Sequence, residues 1–388
     1  MDSQTELINL LSEMIRIDSR NSLPLDSTAP REATEQAMAD CVTRKLQDFG
    51  FDSVSSQEIA PGRPNVLGQK FRCPEYPCLA FEAHLDTVGT QGMSIDPFNP
   101  TIAEGKIYGR GSCDTKGSLA AMLLAAREII AADLPLNLLF LASSAEETGC
   151  EGALFWELPP CNLAGIIVGE PTTNQPIYAH KTQITLEFIC RGKAAHASSP
   201  DAGDNAINKA ARVVNFLEEK IWPEFQATHH PDFNVGNTLS VGLIQGGCKG
   251  NVVPDFCSLT CDFRLFPEQD AAAFIRSLQQ RLEQGLGFPV ELGYQWINPG
   301  MVPDLNQTLL LHIQAAMQEL SLPCHPGTVP YCTDAGVLSQ KGYPCIILGP
   351  GDILQAHTAC EFLALDQLQE AYQLYQAVAR QIARHGTT

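Results

Sequence analysis

The sequence predicts an α/β protein, a mixed and largely parallel sheet covered by helices, interrupted by a smaller inserted α+β block. Three observations carry that expectation. Short, near-continuous apolar runs such as "PCLAFEAHLD", "LNLLFLAS" and "LAGIIVGEPT" are separated by helical segments, and strands apolar on both faces belong in a sheet covered on both sides. From about Thr182 the pattern changes to period-two alternation in "TQITLEFICRG", "NTLSVGLIQGG" and "FCSLTCDFRLF". After "NPGMVPD" the first pattern returns. The expected division is therefore a first α/β part at 1–181, an inserted block at 182–297 and a returning part at 298–388.

Each element follows in order. "TELINLLSEMIRI" and "TEQAMADCVTRKLQDFG" have helical spacing, and Gly50 closes the second as a C-terminal cap. The apolar runs, "SLAAMLLAAREIIAADL" among them, build the sheet and its cover. The inserted block reads strand–helix–strand–strand–helix–strand, its helices being "GDNAINKAARVVNFLEEKI" and "EQDAAAFIRSLQQRLEQGLG" and its last strand "PVELGYQW". Helix "LNQTLLLHIQAAMQELSL", strand "YPCIILG" and a terminal helix "LDQLQEAYQLYQAVARQIARHG" complete the chain. There is no internal repeat and no low-complexity tract.

Composition narrows the function. With 388 residues, 44% of them hydrophobic, there is material for two domain cores. A net charge of −19 argues against binding a nucleic-acid backbone. No apolar stretch approaches the roughly 18 residues of a membrane span, and the polar, periodic first residues are unlike a signal peptide. The 14 cysteines are scattered without a C-x-x-C pair, and several, such as Cys78, Cys190 and Cys345, sit in apolar runs. Buried thiols of a cytoplasmic protein are the expectation, with no nucleic-acid or membrane partner.

Histidines and carboxylates fall at telling places. His84 and Asp86 end one strand, Glu146 and Glu147 a second, and Glu170 a third. Asp114 lies in the Gly-rich loop "GRGSCDTKGS", and His357 follows the strand "YPCIILG". The C-terminal rim of an open α/β sheet is where ligands bind. Mixed imidazole and carboxylate donors suit zinc. The count suits two ions: His84 and Glu170 for one, Glu147 and His357 for the other, and Asp114 shared. Glu146 then remains as general base, and Asp86 is placed to accept the second N–H of His84. Taken singly, each residue has an ordinary alternative, a loop residue or a turn cap. The joint placement argues for the metal site.

The segments "HLDT", "YGRGSCDTKG", "SAEETG", "GEPT", "GKAAHASSP", "GNVVP" and "GPGDILQAH" resemble a known family over essentially the whole chain. It comprises the di-zinc amidohydrolases: acetylornithine deacetylase, succinyl-diaminopimelate desuccinylase, aminoacylases and related carboxypeptidases. The resemblance implies a zinc-exopeptidase-like domain with a ferredoxin-like lid and dimerisation domain, forming a homodimer. It implies two Zn2+ per subunit, replaceable by Co2+ or Mn2+, on His84, Asp114, Glu147, Glu170 and His357. Glu146 becomes the base and Asp86 its supporting aspartate. His196 would reach across the dimer to the oxyanion, a surface or capping histidine being the alternative. Asn251 and Arg264 would hold the substrate's carbonyl and carboxylate, although Arg264 could instead structure the lid through a salt bridge. Lys181, Tyr331 and Thr333 would also lie at the substrate. "GEPTTNQPIYAHK" and "YCTDAG" are most similar to the acetylornithine branch, which implies hydrolysis of N2-acetyl-L-ornithine in arginine biosynthesis. Desuccinylase, aminoacylase or dipeptidase activity, or a silent metal-binding homologue, are the alternatives. Two positions depart from the family pattern: Thr115 replaces the usual Met of "DMKG", and "AHKTQ" lacks the usual glycine.

Overall fold

A computed structural model describes residues 2–21 and 35–385. It divides into two compact units, one of Met1–Tyr178, Val302–Gly327 and Thr333–Thr388, the other of Ala179–Met301 and Thr328–Cys332.

The first unit is organised by an eight-stranded mixed sheet. Its first six strands run in the order Ser53–Ala60, Arg63–Lys70, Asn137–Ser143, Pro77–His84, Asn162–Val168, Cys345–Ile347. Pro77–His84 pairs in parallel with both neighbours, and Cys345–Ile347 in parallel with Asn162–Val168. Pro77–His84 and Asn137–Ser143 are buried at every residue, which is why they read as unbroken apolar runs. Helix Lys116–Ala131 packs on Pro77–His84 and against helices Ser3–Ile15 and Leu365–His385, and the last also packs against Gln307–Glu319. Leu119, Met122, Leu123 and Ala126 on the first of these helices are fully buried, as are Leu374, Tyr375 and Val378 on the terminal one. Each buried Leu contributes on the order of 2 kcal/mol.

The hairpin Ser53–Ala60/Arg63–Lys70 was not among the predicted strands. Ser53–Ala60 faces solvent along most of its length, so "SVSSQEIA" carries no apolar alternation, and pairing alone makes it a strand. A three-stranded sheet of Thr101–Ala103, Lys106–Tyr108 and Phe362–Ala364 also escaped notice, its strands being only three residues each.

The second unit holds a four-stranded antiparallel sheet, ordered Thr238–Gly246, Phe256–Leu265, Thr182–Arg191, Glu291–Asn298. With helices after the first and third strands in sequence, it has the predicted strand–helix–strand–strand–helix–strand order. Ile184, Leu186, Phe188 and Cys190 face the core together with Leu259, Cys261 and Phe263, the period-two pattern made physical. Asn205 and Asp270 cap the two helices by accepting from the N–H groups of Asn208 and Ala273. The first helix is less regular than its sequence implies: Ala206–Phe216 gives way to a π turn at Leu217–Ile221 and a short helix Trp222–Gln226 with Pro223 in its first turn.

Candidate metal centre

Parallel pairing brings the site together. His84 lies opposite Ser143, and Glu82 opposite Val168, so three strands end level with one another. The residues that continue them are His84 itself, Glu146–Glu147 and Glu170. Ile347 pairs with Val168, so the loop from the fourth parallel strand to His357 leaves the same rim. Asp114 closes the turn before helix Lys116–Ala131. That turn needs glycine at 111: its φ is +80°, and a Cβ there would meet Thr87 Cγ2 and Lys116 Cδ at 2.8 Å.

Asp114 stands at the centre. Its Oδ1 is 3.0 Å from His84 Nε2 and its Oδ2 is 3.3 Å from His357 Nε2. Glu170 Oε1 lies 3.9 Å from His84 Nε2, and Glu147 Oε2 lies 3.0 Å from His357 Nε2. Two donor groups result, His84–Asp114–Glu170 and Asp114–Glu147–His357, sharing one carboxylate. The five expected ligands are brought together.

Asp86 does more than anticipated. His84 Nδ1 is 3.0 Å from the Asp86 main-chain oxygen and 3.5 Å from its carboxylate. The carboxylate instead spans the next loop, accepting from the N–H of Glu146 at Oδ1 and of Glu147 at Oδ2, both at 3.1 Å. Thr115, the departure from the family pattern, donates its hydroxyl to the Gly169 carbonyl just before Glu170.

Concentrated carboxylates in a buried site distort acidities. Burial pushes Glu146 and Glu170 well above the usual carboxylate range and Glu147 up to about 7. Burial works the same way on Asp114, but hydrogen bonds from His357 and His84 outweigh it and hold that carboxyl low. Hydrogen bonds to Asp114 and Glu147 push His357 up to about 10; burial opposes protonation of His84, yet Asp114 and Asp86 raise it well above its ordinary value. The residues fit a pair of divalent ions: the donor set is N and O in mixture, and Glu147 Oε1 is buried with no hydrogen-bond partner among the described residues.

The remaining expected residues fall into two groups. Thr333, in the first unit, caps helix Asp334–Gln340 by accepting from Ala335 N–H. In the second unit, exposed His196 lies on the two-residue strand Ala195–His196, paired with Val252–Val253, and Ala197 N–H donates to the Asn251 carbonyl. These two residues are neighbours. Lys181 is buried: its ammonium donates to the Gly236 carbonyl and sits over the Phe266 ring. Arg264 pairs with Asp262 through Nε at 2.7 Å and Nη2 at 3.2 Å, while Nη1 makes longer contacts to the Pro330 carbonyl and Cys332 Sγ. Tyr331 is half-buried.

Sequence reasoning missed a supporting layer. Glu82 accepts from Ser143 Oγ at 2.6 Å, which accepts from Trp156 Nε1. Asp334 is buried beside Glu82, and burial moves it up to about 6. Glu35 and Arg63 form a fully buried ion pair, and Glu35 also accepts from Ala145 N–H, one residue before Glu146. A charge inside "CLAFEAH" was the signal for Glu82; Glu35 and Arg63 had none.

The chain is 27% identical to an acetylornithine deacetylase of Myxococcus xanthus over 95% of each. In fold it is similar to a tripeptidase of Staphylococcus aureus, with a TM-score of 0.79, 22% identity and coverage of 99% of this chain and 100% of that one. It is likewise similar to a dinuclear metal-binding peptidase of Bacillus subtilis, with a TM-score of 0.66, 17% identity and coverage of 97% of both. Residues 80–381 match the profile of peptidase family M20/M25/M40, and the chain is a hydrolase that belongs to that family.

Proposed function

We propose that this chain is a metal-dependent hydrolase of N-acyl amino acids that converts N2-acetyl-L-ornithine to L-ornithine and acetate, in the cytoplasm and in arginine biosynthesis. The observation that carries the chemistry is Asp114, whose two oxygens face His84 and His357 separately, with Glu146 one residue from Glu147. The name of the Myxococcus xanthus relative supports the substrate.

His84, Asp114 and Glu170 would hold one divalent ion and Asp114, Glu147 and His357 the other, zinc in this reading. Once bound, the pair supplies Lewis acidity and brings the pKa of water toward neutrality. Asp86 fixes the two main-chain amides that aim Glu146 and Glu147 in different directions. Glu146 takes the proton of the attacking water and returns it to the nitrogen as the C–N bond breaks. His196 donates to the oxyanion from a partner subunit, a contribution on the order of 3 kcal/mol. Asn251, its neighbour, contacts the acyl carbonyl, and the Nη1 end of Arg264 receives the α-carboxylate. Tyr331 and Thr333 border the substrate. Lys181 shapes the second unit from within, since its ammonium is already engaged. The homodimer of this reading forms through the second unit, where the edge strand Thr238–Gly246 leaves Leu243 57% and Ile244 54% exposed.

Amine release from N2-acetyl-L-ornithine, N-succinyl-L,L-diaminopimelate, N-acetyl-L-methionine and a tripeptide, measured side by side, tests this. The expected result is preference for the first. Preference for another keeps the mechanism and changes the substrate, and no release from any overturns the proposal.

A further inference from the structure

Glu361 belongs to neither donor group, yet it is fully buried and its carboxylate accepts four hydrogen bonds. Oε2 takes Arg110 Nη1 at 2.6 Å and Gly111 N–H at 2.9 Å; Oε1 takes Cys113 N–H at 2.9 Å and Asp114 N–H at 3.0 Å. Two oxygens with two lone pairs each are thereby saturated by one turn of chain. The small sheet puts Glu361 there: Phe362 pairs with Tyr108, and Gly109 N–H donates to the Glu361 carbonyl at 3.2 Å. Arg110 Nη2 reaches back to the Thr358 carbonyl at 3.4 Å. The turn that ends in Asp114 and the segment that begins at His357 are thus held to each other.

The two histidines are not held alike. His84 ends a fully buried strand paired on both sides. His357 lies on a loop with a left-handed φ of 59° and a side chain 54% exposed, 3.3 Å from Asp114 Oδ2. Its alignment with Asp114 depends on whatever fixes residues 357–361 to residues 109–114.

We propose that Glu361 is a positioning residue for the metal pair, holding Asp114 and His357 in register so that the ion on the His357 side depends on it. The inference rests on the metal-centre reading above. Neither orientation of a glutamine amide satisfies four donors, so Glu361→Gln removes the grip with little change of volume. Outer partners of this kind change metal affinity by about 10–100-fold.

The test strips the purified protein of metal and titrates Zn2+ against a chromophoric chelator, with thermal melting recorded in parallel. Wild type is expected to take two ions. Glu361→Gln is expected to keep the tighter and bind the other at least about tenfold more weakly, and Glu361→Asp to weaken the same ion less. Leu363→Ala, which cuts a fully buried side chain two residues on, is the structural control, expected to melt earlier with both affinities unchanged. Two ions bound with wild-type affinity by Glu361→Gln would overturn the inference, as would equal weakening in Leu363→Ala. If Glu361→Gln does not fold, Glu361→Asp decides, and wild-type affinity there overturns it. No ion bound by wild type would sink the metal-centre reading itself and this inference with it.

Discussion

Replacing Asp86 by asparagine isolates one buried carboxylate without touching a ligand. Asp86 is fully buried, and its two oxygens accept from Glu146 and Glu147 N–H at 3.1 Å, with His84 Nδ1 3.5 Å away. An asparagine of nearly the same shape turns its NH2 toward one of those donors. One charge-assisted bond, worth about 1.5–3 kcal/mol, is lost, and a buried N–H is left without an acceptor. If about 3 kcal/mol of that is felt where Glu146 and Glu147 are aimed, kcat/KM falls about a hundredfold. The assay is amine release from N2-acetyl-L-ornithine with zinc titration alongside. A variant that folds and keeps kcat/KM within about threefold of wild type would refute the reasoning.

Three further outcomes follow from named residues. Glu146→Gln should lower kcat by about 10²–10⁴-fold while metal content, read by elemental analysis, stays as in wild type. Gly111→Ala should destabilise by about 1–3 kcal/mol, seen as a lower Tm, because its Cβ meets Thr87 and Lys116 at 2.8 Å and its φ is +80°. Chelator-treated protein should melt earlier as pH rises from about 4.5 to 7. Buried Lys116, lowered to about 7, opposes His357, which is raised to about 10 by Asp114 and Glu147 and whose stabilisation, complete below about 6.5, is lost as pH climbs through 10. Glu147, raised to about 7 by burial, acts in the same direction between about 4.5 and 7. Adding Zn2+ should flatten that dependence, and a melting temperature that rises with pH over that range in the chelated protein would contradict the sign.

The strands that place the site were legible because burial on both faces leaves an unmistakable apolar run, and His84, Glu147 and Glu170 each stand where such a run stops. The inserted unit was legible from alternation, as in "TQITLEFICRG". The buried groups Glu35, Arg63 and Glu361 escaped because their roles are set by contacts distant in sequence. Glu35 meets Arg63 and Ala145, and Glu361 meets Asp114, across stretches no periodicity spans. Lys181 was expected at the substrate, but only the folded unit reveals the Gly236 carbonyl that engages it. Arg264 pairs with Asp262, two positions away on the same strand face, a partner that strand spacing alone could have named.

Metal stoichiometry tests the central claim, a carboxylate shared between two ions, most directly. Elemental analysis of purified protein after zinc loading and removal of excess should give two zinc per chain, and Asp114→Ala should lose both together. An Asp114→Ala variant that retains two zinc, or a fully active wild type with none, would contradict the account.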